Sequence, residues 1–444
     1  MRGTRREMEI RRFDRVVVSN PKRYVDRSSA QDARIFPYYA GYSTAFTEQL
    51  LLSLGLREDA MVFDPWNGSG TTTQTAYRAG MPCIGTDLNP VMVVVAKAGL
   101  LSALDVESLL PLAQTIVEQA AHRQVEALSD DPLHTWLIPQ SALAIRGLEQ
   151  EIHRTLVSHA EYRVLTSEDT LATLSPLAAL FYVALFRTTR RFLVDFIPSN
   201  PTWTKRPSAP AHRKRPSPEK IYEAFAEDVR VLSHKVLEAR NLFFDDASPA
   251  LVRLGNAENI GLQKDSVGAV ISSPPYCTRI DYAVATAIEL AVLRMGTGDF
   301  DALRRSLTGT STVERGSQEI DTRWGKTCLN FLDALYQHSS KASKTYYFKN
   351  HVQYFRSLHT SLQEIARVLE PQAPCVLVVQ DSYYKQIRND IAQITCEMAA
   401  NVGLQLRRQQ HFSATRSMVG VNQQAKKYLQ KRTNIESVLC FENS

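Results

Sequence analysis

Met61-Val62-Phe63-Asp64-Pro65-Trp66-Asn67-Gly68-Ser69-Gly70-Thr71-Thr72 reads as a short apolar strand that turns on two glycines and enters a helix. That helix is expected to run to about Arg78, and Cys83-Ile84-Gly85 begins a second strand. Strand, glycine turn, helix and strand in that order indicate parallel α/β packing, in which ligands lie over the carboxyl ends of the strands. Asp64 stands at such an end. Gly68 and Gly70 permit a tight turn and close approach of a ligand to the main chain. No Gly-Lys-Ser/Thr follows, which disfavours a nucleotide-hydrolysing phosphate loop, and Thr73 interrupts the dinucleotide fingerprint. A carboxylate in this position suits an ammonium group better than a pyrophosphate.

Gly85-Thr86-Asp87-Leu88-Asn89-Pro90 ends the second strand. An acidic residue about 20 positions after a glycine turn is placed to bind ribose hydroxyls, and Asp87 fits that role. A third motif, Ile271-Ser272-Ser273-Pro274-Pro275-Tyr276, follows the apolar strand Val267 to Ile271. At the carboxyl edge of a parallel sheet this loop is stiff, because each proline fixes φ. It presents a hydroxyl, proline carbonyls with no competing N–H, and an aromatic face. Those groups suit an exocyclic amine held against a stacking ring. The alternatives are a plain strand-end loop or a proline-rich docking peptide, and docking peptides normally lie in polar, unstructured segments.

Outward from these motifs the chain divides in two. Between residues 101 and 249 apolar positions recur at helical spacing, as in Leu109, Ala113, Ile116, Val117 and Ala120, with further helices expected over 139–157, 173–195 and 219–240. Pro198 to Pro218 is proline-rich and basic, and reads as a mobile loop. The α/β pattern then resumes: a helix from Ala283 to Met295, another from about Val352 to Val368, the strand Cys375 to Val379, a helix near 387–402, and two late strands at 404–406 and 436–441. The expectation is an α/β fold with a mostly parallel seven-stranded sheet, spanning 30–100 and 250–444. A helical insertion (101–249) interrupts it and a basic arm (1–29) precedes it.

The composition fits a globular protein of 444 residues, 44% hydrophobic and 22% charged. The longest apolar run, Leu177 to Phe186, is too short to span a bilayer. Nothing apolar follows the basic start at Met1 to Arg6, so no secretory signal is expected. Six scattered cysteines without a Cys-x-x-Cys pair argue against a disulfide scaffold and a zinc ribbon. Together these readings point to cytoplasm, no membrane and no metal. Net charge is only +6, but basic residues cluster in the N-terminal arm, in the stretch carrying Arg213, Lys214 and Arg215, and from Arg407 to Arg432. Such clusters are the footprint of a polyanion binder; solvated surface is the alternative.

With these motifs assembled, the chain resembles the amino-methyltransferases of DNA, which use S-adenosylmethionine to methylate cytosine N4 or adenine N6. The family's Asp-Pro-Phe-x-Gly-Ser-Gly-Thr appears here as Asp64 to Thr71, with Trp66 for the phenylalanine, and its Asp/Asn/Ser-Pro-Pro-Tyr as Ser273 to Tyr276. The serine form is commonest among cytosine-N4 enzymes. Arg279-Ile280-Asp281-Tyr282 is similar to the segment that follows this motif, Arg367-Val368-Leu369-Glu370-Pro371 and Gln380-Asp381-Ser382 flank the strand 375–379 in a familiar way, and Phe36-Pro37-Tyr38-Tyr39 resembles the element that closes over the methionine end of the cofactor. Gly255-Asn256-Ala257 stands where the family often has Gly-Asp-Ala.

The resemblance implies a Rossmann-like methyltransferase fold. S-adenosylmethionine would be held by Tyr38, Asp64, Trp66, Gly68, Gly70, Thr71, Asp87, Asn256 and Ala257, and Ser273, Pro274, Pro275 and Tyr276 would be catalytic. Double-stranded DNA would meet Arg279, with a cognate restriction endonuclease or defence-system proteins as partners; the resemblance does not cover the insertion, whose basic stretch offers Arg213, Lys214 and Arg215 to DNA on charge alone and which is a candidate DNA-recognition region. Cytosine N4 is the favoured target. Three alternatives remain open: adenine N6, an RNA substrate, and an inactive DNA-binding defence component. Pro82-Cys83 and Pro374-Cys375 enter strands, so they read as core residues and argue against carbon-5 chemistry.

Overall fold

The computed structural model describes residues 13–22, 35–37, 41–198, 203–239, 249–277, 280–313, 319–414 and 434–444. Five parallel strands form its frame: β1 (Val62–Asp64), β2 (Cys83–Asp87), β3 (Ala250–Leu254), β4 (Ala269–Ser272) and β5 (Pro374–Gln380). A separate hairpin, β6 (Ser382–Tyr384) and β7 (Ile387–Asn389), comes next, followed by β8 (Leu404–Ala414) and β9 (Asn434–Asn443). The seven-stranded sheet runs β3-β2-β1-β4-β5-β9-β8, with β9 antiparallel to both neighbours. It is the mostly parallel α/β sheet that the sequence predicts. Strand order reverses between β1 and β4, and open α/β sheets bind ligands at such a switch point.

Strand residues alternate between faces, and both faces are covered. Val62, Ile271, Val376 and Val378 pack against α1 (Thr44–Leu54) and α2 (Thr71–Arg78) through Leu50, Leu54 and Ala76. Phe63, Val270, Cys375 and Leu377 face the opposite way, in one core with Val352, Phe355 and Leu362. This double burial is why β4 and β5 are nearly all apolar.

All nine residues of α3 (Pro90–Ala98) are buried. They share a core with α4 (Val106–His122), α5 (Pro139–Leu156), α6 (Pro176–Phe192) and α7 (Pro218–Ala239). Ionic ties join these helices to the residues beyond β4. Arg146 pairs with Asp131 at 2.7 Å and donates to the Ala291 and Val292 carbonyls, both at 2.6 Å. Arg190 pairs with Glu289 at 2.5 Å. Removing one partner of such a buried pair costs about 3–5 kcal/mol, so the helical region is fastened next to the Ser-Pro-Pro-Tyr loop.

Three local expectations differ from the structure. The helix expected from Ala283 to Met295 is broken at Thr286 into Tyr282–Ala285 and Ala287–Val292; Thr286 Oγ1 donates to the Tyr282 carbonyl and accepts from Asn89 Nδ2, each at 2.9 Å. The helix expected near 387 begins at Ile391, because Ile387–Asn389 is hydrogen-bonded to Ser382–Tyr384. The loop expected to be mobile is tied down over 203–217: Lys205 N donates to Phe196 O, Lys214 N to Trp136 O and Ile138 N to Lys214 O, between 2.8 and 3.1 Å. Among the described residues no helix is long and apolar enough to cross a membrane.

Candidate active site

A cleft opens over the carboxyl ends of β1, β2 and β4. Asp64 and Asp87 line it, and no lysine, arginine or histidine among the described residues does so. An acidic, largely apolar cleft favours a cation over a pyrophosphate.

Asp64 is 3% exposed, and the structure surrounds its carboxylate with donors. Ser272 Oγ donates to Oδ1, as does Trp66 N at 3.1 Å, and Tyr42 Oη donates to Oδ2 at 3.3 Å. Burial pushes the Asp64 pKa up to about 6 against the pull of these donors. Asp87 is similar: Gly68 N donates to Oδ2 and Asn89 N to Oδ1, both at 2.9 Å, while burial raises its pKa to about 6. Each Asp87 oxygen retains a lone pair for an incoming hydroxyl. Trp66 and Asn67 line the same wall, and Trp66 Nε1 and Asn67 Nδ2 are buried donors with no partner among the described residues.

Gly70 acts one layer back. Its φ is +86°, and a Cβ there would lie 2.8 Å from the Ala96 Cβ, so glycine lets α2 start against α3.

Ser273 to Tyr276 leave the end of β4 and form the opposite wall. Ser273 Oγ donates to the Val378 carbonyl on β5 at 2.8 Å. Tyr354 Oη donates to the Pro275 carbonyl at 3.0 Å, and Tyr276 N donates to Tyr282 Oη at 3.2 Å. Gly309, at φ +77°, packs so close that a Cβ would meet the Tyr276 carbonyl at 2.7 Å. Asp281 fixes this supporting segment by accepting from Arg304 at 2.6 Å and from Ser311 at 2.7 Å.

Of the residues singled out in the sequence, Asp64, Trp66, Gly68, Thr71, Asp87, Ala257, Ser273, Pro274, Pro275 and Tyr276 line this one cleft. Asn256 lines the adjacent cavity with Arg305 and Arg356, and its Oδ1 accepts from Glu258 N at 2.9 Å. Tyr38 and Arg279 lie outside the described residues. Arg213, Lys214 and Arg215 are not part of the cleft; Lys214 is paired with Asp195, and Arg215 is exposed. Sequence reading missed Tyr42, Tyr282, Thr286 and Thr308, which reach the cleft from distant segments. It also missed the role of Lys22, counted only among the basic arm residues, whose Nζ donates to Tyr276 Oη at 2.9 Å.

Comparison with known proteins makes the chain a distant relative of type II methyltransferases. It is 21% identical over 395 residues to Type II methyltransferase M.AvaI of Nostoc sp., covering 83% of this chain and 78% of that one. M.BsoBI of Geobacillus stearothermophilus is 24% identical over 306 residues, covering 63% of this chain and 56% of its own. No family model matches. Among solved structures, the rRNA methyltransferase AviRa of Streptomyces viridochromogenes aligns over 95% of this chain and 96% of its own at 10% identity and a TM-score of 0.30, too low to carry weight.

Proposed function

We propose that this protein is a DNA methyltransferase that transfers the methyl group of S-adenosylmethionine to the exocyclic amine of a flipped base, with cytosine N4 as the target. The observation that carries the reading is one cleft with paired acidic residues on one wall and Ser273-Pro274-Pro275-Tyr276 on the other. The similarity to M.AvaI and M.BsoBI supports it and favours duplex DNA as the polymer. It also favours a cognate restriction endonuclease as the partner.

The chain's groups fit this cofactor. Asp64 is the anionic group for an ammonium and Asp87 the acceptor for ribose hydroxyls. When bound, S-adenosylmethionine supplies an electrophilic methyl on a sulfonium. Everything else falls to the protein.

The amine of a nucleobase is a weak nucleophile because its lone pair is delocalised into the ring. Ser273 has its own hydrogen committed to Val378, so its oxygen can only accept from the amine N–H. The Pro274 carbonyl is a second acceptor. Two such bonds draw the lone pair back onto nitrogen and fix its direction, combining positioning with preorganised dipoles. Neither acceptor is basic enough to deprotonate the amine first, so the proton leaves after methyl transfer. The target atom lies inside the duplex stack, so the base must be extruded, and Tyr276 provides the face that receives it.

The test is transfer of labelled methyl groups from the cofactor into duplex DNA and into RNA. Incorporation into DNA is the expected result; incorporation into RNA alone would overturn the choice of polymer.

A further inference from the structure

The hydroxyl end of Tyr276 carries a partner that no motif includes. Lys22 Nζ lies 2.9 Å from Tyr276 Oη, 5.3 Å from the ring centre and 3.1 Å from Glu436. The Lys22 side chain is 27% exposed and that of Glu436 6%, so this is an ordered pair at the lip of the loop. Its position is built by the arm that bears it. Phe13, Val16 and Val18 pack into the core beside Leu50 and Leu54, Arg408 holds the Phe13 and Val16 carbonyls, and the Pro21 carbonyl accepts from Ser43 N at 2.9 Å. Burial alone would lower the Lys22 pKa, but Tyr276 and Glu436 outweigh it and raise the value, so the group is an ammonium at neutral pH.

The two ends of the tyrosine ring are therefore different. Ser273 and Pro274 precede Tyr276 in the loop and line the same cleft, and a cationic donor lies at the hydroxyl end of the ring. A base stacked on this ring with its amine at Ser273 extends its Watson–Crick edge toward the donor. In cytosine that edge reads N4, N3, O2. In adenine it reads N6, N1 and C2–H. Where cytosine offers a carbonyl oxygen, adenine offers a carbon-bound hydrogen that cannot accept.

We infer that Lys22 is a specificity-determining residue that donates a hydrogen bond to the O2 carbonyl of the flipped cytosine; this rests on the amine-methylation reading above. Methyl transfer leaves positive charge on the base, which a bare ammonium would oppose. Glu436 cancels that charge, and with Tyr276 and Glu436 each taking one N–H the third remains for the base, so the pair recognises the base without penalising the reaction. Lys22 thus acts in base binding and in the choice between cytosine and adenine.

The experiment uses the full-length protein, mixed-sequence duplex DNA and labelled S-adenosylmethionine, with wild type, Lys22→Met and Lys22→Arg compared. A hydrogen bond to a charged group contributes about 1.5–3 kcal/mol, so Lys22→Met is expected to raise the KM for DNA by roughly ten- to hundredfold. Cofactor affinity by calorimetry should stay at the wild-type value, and the ratio of N6-methyladenine to N4-methylcytosine in the digested product should rise. Lys22→Arg, which keeps a cationic donor, should recover most of the loss. Unchanged KM and product ratio in Lys22→Met would overturn the inference while leaving the methylation reading intact. Equal losses in Met and Arg, with weakened cofactor binding, would also overturn it by showing a purely structural role. N6-methyladenine as the only product of the wild type would overturn the cytosine reading and this inference together.

Discussion

Ser273 Oγ is bonded to the Val378 carbonyl across the β4–β5 pair at 2.8 Å, which turns a hydroxyl of either polarity into an acceptor aimed by the sheet. Ser273→Ala should lower kcat by roughly 10²-fold, comparable to losing one preorganised hydrogen bond in an oxyanion hole, with cofactor affinity retained. Single-turnover methyl transfer alongside calorimetry checks this. An equal loss of cofactor binding would show that Ser273 acts on the other ligand.

Asp64 supports both the fold and the ligand. Asp64→Ala should abolish S-adenosylmethionine binding and also leave Ser272 Oγ and Trp66 N unsatisfied, whereas Tyr42 Oη keeps Thr72 and the Ile271 carbonyl. Each unsatisfied buried donor costs about 1–3 kcal/mol, so the thermal midpoint should fall measurably. A folded variant with wild-type affinity would refute the assignment.

Acidification should separate binding from stability. Burial raises Asp64 and Asp87 to about 6; the ammonium needs Asp64 ionised, and ionised Asp87 is the better acceptor for ribose hydroxyls. Cofactor affinity should therefore be full above about pH 7 and fall as pH drops through 6. The free protein should respond in the opposite sense. Carboxyls whose folded pKa is raised above the usual value near 4 destabilise the fold at neutral pH, and the strain is relieved as pH falls from about 6 toward 4. Calorimetric titration and thermal melts over pH 5 to 8 would reveal both trends.

Tyr276→Phe keeps the stacking face and loses the Lys22 hydrogen bond, whereas Tyr276→Ala loses both. Aromatic stacking on a base contributes about 1–3 kcal/mol, so Ala should be far more damaging than Phe in kcat/KM. Equal losses would assign the function to the hydroxyl.

Neutralising Arg213, Lys214 and Arg215 should weaken duplex binding at all sequences alike. Lys214 is already paired with Asp195, so only two phosphate contacts are expected to vanish. The slope of log affinity against log salt should shrink by about 1.8. An unchanged slope would make the segment an ordinary surface.

Much of this site is legible in the sequence because its chemistry is local. Asp64, Gly68 and Gly70 lie within one strand-to-helix turn, Asp87 ends the next strand, and Ser273 to Tyr276 are contiguous. Residues delivered by tertiary packing are not legible in that way. Lys22 meets Tyr276 across 254 positions, and Asn89 meets Thr286 across 197. The break at Thr286 is invisible to periodicity, because apolar residues continue on both sides while a side-chain bond to Asn89 fills the gap. The β6–β7 hairpin escapes for a related reason: Ile387–Asn389 has a helix directly after it, and only pairing with Ser382–Tyr384 makes it a strand.

The most direct test of amine methylation is mass spectrometry of nucleosides from duplex DNA incubated with the protein and isotopically labelled S-adenosylmethionine. The proposed function predicts the label in N4-methylcytosine, lost with Ser273→Ala. Label in 5-methylcytosine, or none in DNA under conditions where the cofactor binds, would contradict the account.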